Sequence, residues 1–475
     1  MRTKIIATVG PATETKEGIA ALVDAGATIF RLNFSHGGRE FFERMVRIIR
    51  EVEAESGKIL TLMQDLSGPK IRTCDIGCGT LEISKGTEVY LGVPGAEEHT
   101  VCVGEPFICL DLPTVIKSLK VRDAVALSDG LLQFTVVERI DETLIKMIAE
   151  NSGIAPPRKG IAFPGKSTPL DAFTTKDKAD LIVGLELGVD VVAMSYVQSH
   201  EDIRHLKAEM RHLGKELPVI AKLERQSAIQ NLQRILEETD GVMVARGDLG
   251  LECELSELPA MQKRIIKACN YAGKPVIVAT QMLLSMVSSP MPTRAETTDV
   301  ANAILDGADC IMLSEETAIG KYPDKTVQQM RRIATQAEAY YFEDAGVAVR
   351  RPDDQEHPAR FLAYAACLLA EKTRSKAIVS HSTSGGTARI LSTCRPRQPI
   401  YALSPDERVR HFNNLSWGVI PAVPAVEEAN HQERVERFVR ESPRFAAGDT
   451  VVITAGQPKG GQMVTQTNVV KVYEK

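Results

Sequence analysis

PVIAKLERQSAIQNLQRILEETDGVMVARGDLGLE, residues 218–252, decides how the chain folds. Pro218–Leu223 is a short apolar run. Ala228–Glu238 carries Ala228, Leu232, Ile235 and Leu236 at helical spacing, and Gly241–Ala245 is apolar again. Strand, helix and strand in that order read as a parallel pair joined by a crossover helix. Each strand ends on charge, Lys222-Leu223-Glu224 after the first and Arg246-Gly247-Asp248 after the second.

The same rhythm extends outward. Upstream, Thr174 caps a helix running to Leu187, Asp190–Ser195 reads as a strand, and His200–Leu213 as a helix. Downstream lie the helices Pro259–Ala272 and Arg294–Leu305 and the strands Pro275–Thr280 and Cys310–Leu313. The N-terminal region repeats the pattern, with strands at Lys4–Val9, Thr28–Phe34 and Ile59–Asp65 around helices at Glu14–Ala25 and Arg39–Ser56. Three early strands and five late ones make the eight of a closed (β/α)8 TIM barrel. From about Gly68 to Arg158 the helical period disappears. Short alternating runs such as Glu88–Leu91 and Leu131–Val137 stand between Gly77, Gly79, Gly86, Gly92, Gly95 and an Asp129-Gly130 turn. An all-β module is therefore expected as an insertion after the third strand. Beyond a linker at Gly346–His357, helices (Ala359–Lys372, Thr387–Cys394, Glu427–Arg440) alternate with strands (Ala377–Ser380, Ile400–Leu403, Val451–Ala455, Val469–Tyr473). The expected α/β organisation is a barrel formed by residues 1–67 and 161–345, a β lid of residues 68–160, and a C-terminal three-layer α/β domain of residues 346–475.

Composition narrows the function classes. The 475 residues include 57 Lys and Arg against 62 Asp and Glu, a net charge of -5, which argues against a general nucleic-acid or membrane-surface binder. No run approaches the roughly 20 apolar residues of a membrane span. Gly10-Pro11 and Glu14 break the first apolar run before a secretory signal could form. Nine cysteines, an odd number without a C-x-x-C pair, read as reduced thiols of a cytoplasmic protein and not as a disulfide or zinc framework.

In such a barrel, chemistry gathers where strands end. Alternation puts Arg31, Asn33 and Ser35 on one face of the second strand. The third ends at Asp65, the seventh at Thr280-Gln281, the eighth at Ser314-Glu315-Glu316. Lys222 and Glu224 alone read equally as a buried ion pair packing the barrel. Charges converging from five strand ends are too costly to bury without partners or a ligand. Glu224 and Asp248 facing one cavity call for a cation, and oxygen-only ligation fits Mg²⁺ or Mn²⁺ better than Zn²⁺. With Arg31 and Lys222 added, the set is equipped to stabilise a transferring phosphoryl group. Neither a P-loop nor a G-x-G-x-x-G fingerprint is present.

With these residues in view, the chain resembles the pyruvate kinases over essentially its whole length. The carrying segments are KIIATVGPAT at 4–13, RLNFSHG at 31–37, DLSGPKIRT at 65–73, KGIAFPG at 159–165 and VIAKLE at 219–224. VARGDLGLE at 244–252, VATQMLLSM at 278–286, PTRAE at 292–296 and MLSEETAIGKYP at 312–323 complete the set in matching order. The resemblance implies phosphoryl transfer from phosphoenolpyruvate to ADP, giving pyruvate and ATP. By the same resemblance Glu224 and Asp248 bind the divalent metal, and Lys222 stabilises the phosphoryl group and the developing enolate. Arg31 also holds phosphate. The backbone N–H groups at Gly247 and Asp248 receive the substrate carboxylate. Thr280 assists and belongs to a proton relay that Ser314 and Glu316 support. The nucleotide is expected between Pro11, His36 and Phe41, with Arg72 and Lys159 near its phosphates. Phe41 reads equally as a helix-core residue, and His36 has a structural reading as well. The insert is expected to close as a lid, and the resemblance implies a homotetramer, the usual state of family members.

Three features depart from the family pattern. Relatives that need K⁺ bind it near Asn33, Ser35, Asp65 and the carbonyl at 66, and carry Glu at position 70 and Thr at 66, where this chain has Lys70 and Leu66. The Lys70 ammonium is expected to replace K⁺, with a plain surface lysine as the alternative. Arg225 stands where Asn is commoner, and Glu315 where Gly is commoner; Glu315 either adds charge near the site or points outward. In the last domain, Ser382-Thr383-Ser384-Gly385-Gly386-Thr387 before a helix reads as an ordinary capped turn or as a phosphate nest. The resemblance raises the second reading, an allosteric site for a phosphorylated effector with Gly456–Gly461 and Lys459 closing over it. Two other functions stay in competition, a metal-dependent lyase on the same barrel and a catalytically silent relative.

Overall fold

The computed structural model describes residues 1–475 except 75–79, 100–103, 129, 167–169, 344–357, 425–429 and 456–468. The linker at 346–357, Asp129 and the loop 456–461 with Lys459 thus lie outside the described residues.

Eight parallel strands close on themselves: Lys4–Thr8, Ala27–Asn33, Thr61–Asp65, Val191–Met194, Val219–Leu223, Gly241–Ala245, Val276–Ala279 and Cys310–Leu313. Each pairs with its neighbour in this order, and the first pairs with the last, Lys4 opposite Cys310. Side chains pointing inward fill the barrel, among them Ile6, Ile29, Met63, Ile220, Met243 and Ile277. Those pointing outward pack under a ring of helices, so both faces of every strand are buried and the strands read as continuous apolar runs. Phe412 and Leu415 from the C-terminal domain join the inner cluster and plug the floor of the barrel. Capping fixes where helices begin. The Thr174, Ser199 and Thr293 hydroxyls each accept a backbone N–H while the acid three residues on returns the bond.

The helix expected at 228–238 is two, Gln226–Gln230 and Leu232–Glu238, separated at Asn231. A long helix, Pro323–Glu343, follows the eighth strand and packs on the first helix of the barrel, Lys16–Ala25.

Between the third and fourth barrel strands stand a six-stranded and a two-stranded sheet. They enclose their own core around Val89, Leu91, Val125, Phe134, Ile145 and Met147. Among the described residues one α-helix, Pro113–Ser118, started by Pro113 in its first turn, and a 3-10 turn, Ala96–Glu98, interrupt this module. Six residues are too few to show a helical period in sequence.

Among the described residues the C-terminal domain has five strands in the spatial order Val419–Ala422, Ile400–Leu403, Ile378–His381, Thr450–Ala455, Val469–Glu474. All are parallel except the last. Apolar clusters around Cys367 and Leu391 on one face, and Val435 and Ile453 on the other, make the three layers. Among the described residues no helix is long and apolar enough to cross a membrane.

Candidate active site

The C-terminal ends of the first five barrel strands meet in one network of ion pairs and hydrogen bonds. Asp65 ends the third strand almost fully buried. Its Oδ2 accepts from Arg31 Nε at 2.6 Å and its Oδ1 from Lys222 Nζ at 3.0 Å. Lys222 Nζ also lies 2.6 Å from Ser195 Oγ and 3.0 Å from Glu224 Oε1. Arg31 Nη1 donates to Thr8 Oγ1 at 3.2 Å. Burial works against the Lys222 ammonium, yet Asp65 and Glu224 outweigh it and hold its pKa above the ordinary lysine range. Burial likewise opposes the Asp65 carboxylate, and Lys222 and Arg31 overcome it, so its pKa falls below the usual value. For Glu224 burial wins. Although Lys222 pulls the other way, desolvation and the repulsion of Asp248 push its carboxyl up to about 6.

Tyr196 closes this corner. Its backbone N–H donates to Glu224 Oε2 at 2.6 Å, from a left-handed conformation with φ 55°. The close approach demands glycine at 68. A Cβ there would sit 2.7 Å from Tyr196 Cδ2, and Gly68 itself has φ 62°.

The sixth strand runs directly into the helix Arg246–Glu252, whose first turn carries Gly247 and Asp248. Gly247 N donates to Thr280 Oγ1 at 2.8 Å, and that hydroxyl donates to Ala279 O at 2.6 Å. Thr280 and Gln281 both have positive φ, 72° and 53°, an unusual backbone of the kind that clusters at functional sites. Arg246 clamps the turn, reaching Thr280 O at 2.8 Å and Asp299 Oδ1 at 2.6 Å. Glu316 is buried, which raises its pKa. Its two oxygens accept from Ser314 N at 2.7 Å and Leu283 N at 3.1 Å, tying the eighth-strand turn to the loop after Gln281. Glu315 is exposed on the wall of the main cleft.

That cleft, of about 2030 Å³, lies between barrel and insert; Gly247, Asp248 and Thr280 line one side, Gly130, Phe134 and Glu150 the other. A smaller cavity beneath is lined by Lys70, Tyr196, Glu224, Arg225, Asp248 and Glu252. Among the described residues no cluster of three or more His, Cys, Asp or Glu side chains is arranged to hold a metal. Two carboxylates on one cavity are what Mg²⁺ uses when substrate and water supply its remaining oxygens, so the donor set fits that ion.

The residues expected at a K⁺ pocket are engaged internally. Asn33 Oδ1 accepts from Ser35 N at 3.1 Å, both Asp65 oxygens are ion-paired, and Leu66 O accepts from Ser195 Oγ at 2.6 Å. Lys70 is exposed and lines the smaller cavity.

The residues expected to hold a nucleotide fall in two groups. Pro11 and His36 are exposed on loops after the first two strands. Phe41 is half-buried, edge-on to Phe42 at 5.5 Å, with the Arg44 guanidinium 5.6 Å from its ring centre. Arg72 pairs with Gly160, and Thr73 N donates to Lys159 O at 2.9 Å, so Arg72 and Lys159 sit where the chain enters and leaves the insert. Among the described residues no hydrogen bond joins the two groups.

Ser382–Thr387 follow the strand Ile378–His381 and lead into the helix Gly386–Thr393. Gly385 has φ 71°, and a Cβ there would meet Asn413 at 2.5 Å. Arg389 Nη1 braces the turn at Ser384 O and Asn413 Oδ1, both at 3.1 Å.

Sequence reasoning missed Ser195, Tyr196 and Thr8. All three stand at or just past strand ends, the one signal that could have found them.

Residues 1–327 match the family model described as pyruvate kinase, barrel domain, and residues 360–473 the one described as pyruvate kinase, alpha/beta domain. The chain belongs to the pyruvate kinase family. It is 40% identical to pyruvate kinase 2 of Synechocystis sp., over 99% of this chain and 79% of that one. It is 39% identical to the pyruvate kinase of Agrobacterium vitis (100% and 96% covered) and 37% identical to that of Clostridium acetobutylicum (100% of both). Family membership makes the chain a phosphotransferase, and the ion-pair network described above is the candidate active site of a pyruvate kinase fold.

Proposed function

We propose that the chain transfers the phosphoryl group of phosphoenolpyruvate to ADP, giving pyruvate and ATP as the last step of glycolysis. In this reading the reaction requires Mg²⁺ or Mn²⁺ and does not require K⁺. The observation that carries it is Lys222, fixed within 3.0 Å of Asp65, Ser195 and Glu224 beside a cavity that Asp248 also lines.

Arg31 and Lys222 hold the transferring phosphoryl group, and Lys222 stabilises the negative charge that develops on the enolate oxygen. Because Asp65 and Ser195 fix the ammonium in advance, little reorganisation is needed at the moment of transfer. Glu224 and Asp248 would hold the divalent cation, which when bound neutralises substrate oxygens. The N–H of Asp248, and that of Gly247 once it gives up Thr280 Oγ1, receive the substrate carboxylate. The Thr280 hydroxyl belongs to the relay that delivers a proton to the enolate carbon, with Ser314 and Glu316 holding its loop. ADP lies along Pro11, His36 and Phe41, with Arg72 and Lys159 at its phosphates. Residues 68–160 close as a lid and keep water from competing as acceptor. K⁺ independence draws support from the internal engagement of Asn33, Asp65 and Leu66 O and from the Lys70 ammonium at the neighbouring cavity.

A coupled pyruvate assay tests the reading. Pyruvate is expected only with phosphoenolpyruvate, ADP and Mg²⁺ together, at equal rates in potassium-free and potassium-containing buffer. A large loss without potassium would refute K⁺ independence. Pyruvate formed without ADP would favour the lyase, and none at all the silent relative.

The loop Ser382–Thr387 is proposed as the seat of a phosphorylated effector in a cytoplasmic homotetramer. Melting temperature is expected to rise with at least one member of a panel of phosphorylated metabolites. No shift with any of them would leave an inert turn, and sedimentation velocity reads the oligomer.

A further inference from the structure

We propose that Arg225 is a positioning residue for the divalent cation, holding Tyr196 and Glu252 so that Glu224 and Asp248 keep their spacing. The inference rests on the reading that these two carboxylates bind the cation.

Three carboxylates, Glu224, Asp248 and Glu252, line the smaller cavity. The Lys222 ammonium is committed to Asp65 and Glu224, so it does not balance Glu252. Arg225 does. Its Nη1 lies 3.7 Å from Glu252 Oε1, with both side chains more than nine-tenths buried. Its guanidinium carbon lies 5.2 Å from the Tyr196 ring centre, within cation–π range. Arg225 Nε is buried without a hydrogen-bond partner, so the ring contact and the ion pair carry its placement.

Both partners lead to a cation-binding carboxylate. Tyr196 donates its backbone N–H to Glu224 Oε2 at 2.6 Å, so fixing the Tyr196 ring fixes the donor that orients Glu224. Glu252 stands four residues after Asp248 on the helix Arg246–Glu252, on the same face, so anchoring Glu252 anchors the turn that presents Asp248. One guanidinium thereby bridges the neighbours of both carboxylates, which come from different barrel strands. An asparagine, commoner at this position in the resembled pattern, is shorter and carries no charge for Glu252. Partners that orient metal ligands in this way typically influence affinity by about 10- to 100-fold.

The test measures Mn²⁺ binding to the full-length protein without substrate, by the electron paramagnetic resonance signal of free Mn²⁺. Arg225→Gln is expected to raise the Mn²⁺ Kd by at least about 10-fold. Arg225→Lys, which keeps the charge and loses the planar contact, should recover part of the loss, and Glu252→Gln should weaken binding in its own right. The double variant Arg225→Gln/Glu252→Gln should lose less than the sum of the two. In turnover, the half-saturating Mn²⁺ concentration should rise while kcat at saturating Mn²⁺ stays near the parent. Glu224→Gln serves as the control and should abolish binding. Parent-like affinity in Arg225→Gln alongside lost binding in Glu224→Gln would overturn the role of Arg225 alone. Parent-like affinity in Glu224→Gln would overturn the metal site itself. If Arg225→Gln does not fold, Arg225→Lys and Glu252→Gln decide, and parent-like affinity in both overturns the proposal.

Discussion

Lys222→Met lowers kcat by about 10³- to 10⁵-fold, the range lost when a cation that stabilises a transferring phosphoryl group is removed. Methionine matches the length and apolar stem of lysine but has no charge to offer the phosphoryl group or the enolate. No neighbour replaces it. Arg31 holds the phosphoryl group from its own side, anchored to Asp65 and Thr8, and does not reach the place of the ammonium, and Arg225 faces Glu252. The fold should survive, because Asp65 retains its 2.6 Å ion pair with Arg31 and Glu224 retains the Tyr196 N–H. Removing one partner of a buried pair ordinarily costs about 3–5 kcal/mol, and these remaining contacts keep the loss below that range. The coupled assay reads kcat, and circular dichroism with thermal melting reads the fold. Wild-type-like turnover in a folded variant would refute the role of Lys222.

The barrel was legible because each strand is a short apolar run ending in polar residues, and because Thr174 marks a helix start by chemistry alone. What the sequence left hidden was pairing. Lys222 and Asp65 stand 157 positions apart, and only closure of the barrel puts their charges 3.0 Å apart. The helix Arg246–Glu252 was hidden by Gly247 and Gly250, poor helix formers that tertiary contacts override. The edge strand Val419–Ala422 contains Pro421, which a central strand would not tolerate, so its propensity argued against a strand at all. The partner of Arg225 was invisible for the same reason as that of Lys222. A departure from a family pattern shows in the sequence, but the residue it answers to lies across a fold.

Raising the pH from 6.5 to 9 removes one block of stability that joins the C-terminal domain to the barrel. His411, on the helix Glu407–Asn413, is buried at that junction. Its Nε2 lies 2.9 Å from Glu53 Oε1 and its Nδ1 2.8 Å from Asp190 Oδ1, so both nitrogens carry protons to satisfy both carboxylates. Arg50 completes the cluster at 2.7 Å from each of the same two acids. Burial and Arg50 disfavour the imidazolium, but the bonds to Asp190 and Glu53 prevail and push its pKa up to about 9. The folded value exceeds the unfolded one. The contribution is therefore complete below about pH 6.5, declines above it, and is gone past about pH 9. A rise from 6.5 to about 9 corresponds to roughly 3 kcal/mol. Denaturant unfolding at several pH values should show this decline, and His411→Gln should flatten it while lowering stability at pH 6. An unchanged pH slope in the variant would assign the decline to other groups. Phe412, the next residue, plugs the barrel floor beside Ile6 and Met312, so the charge on His411 also secures an apolar contact that it does not itself make.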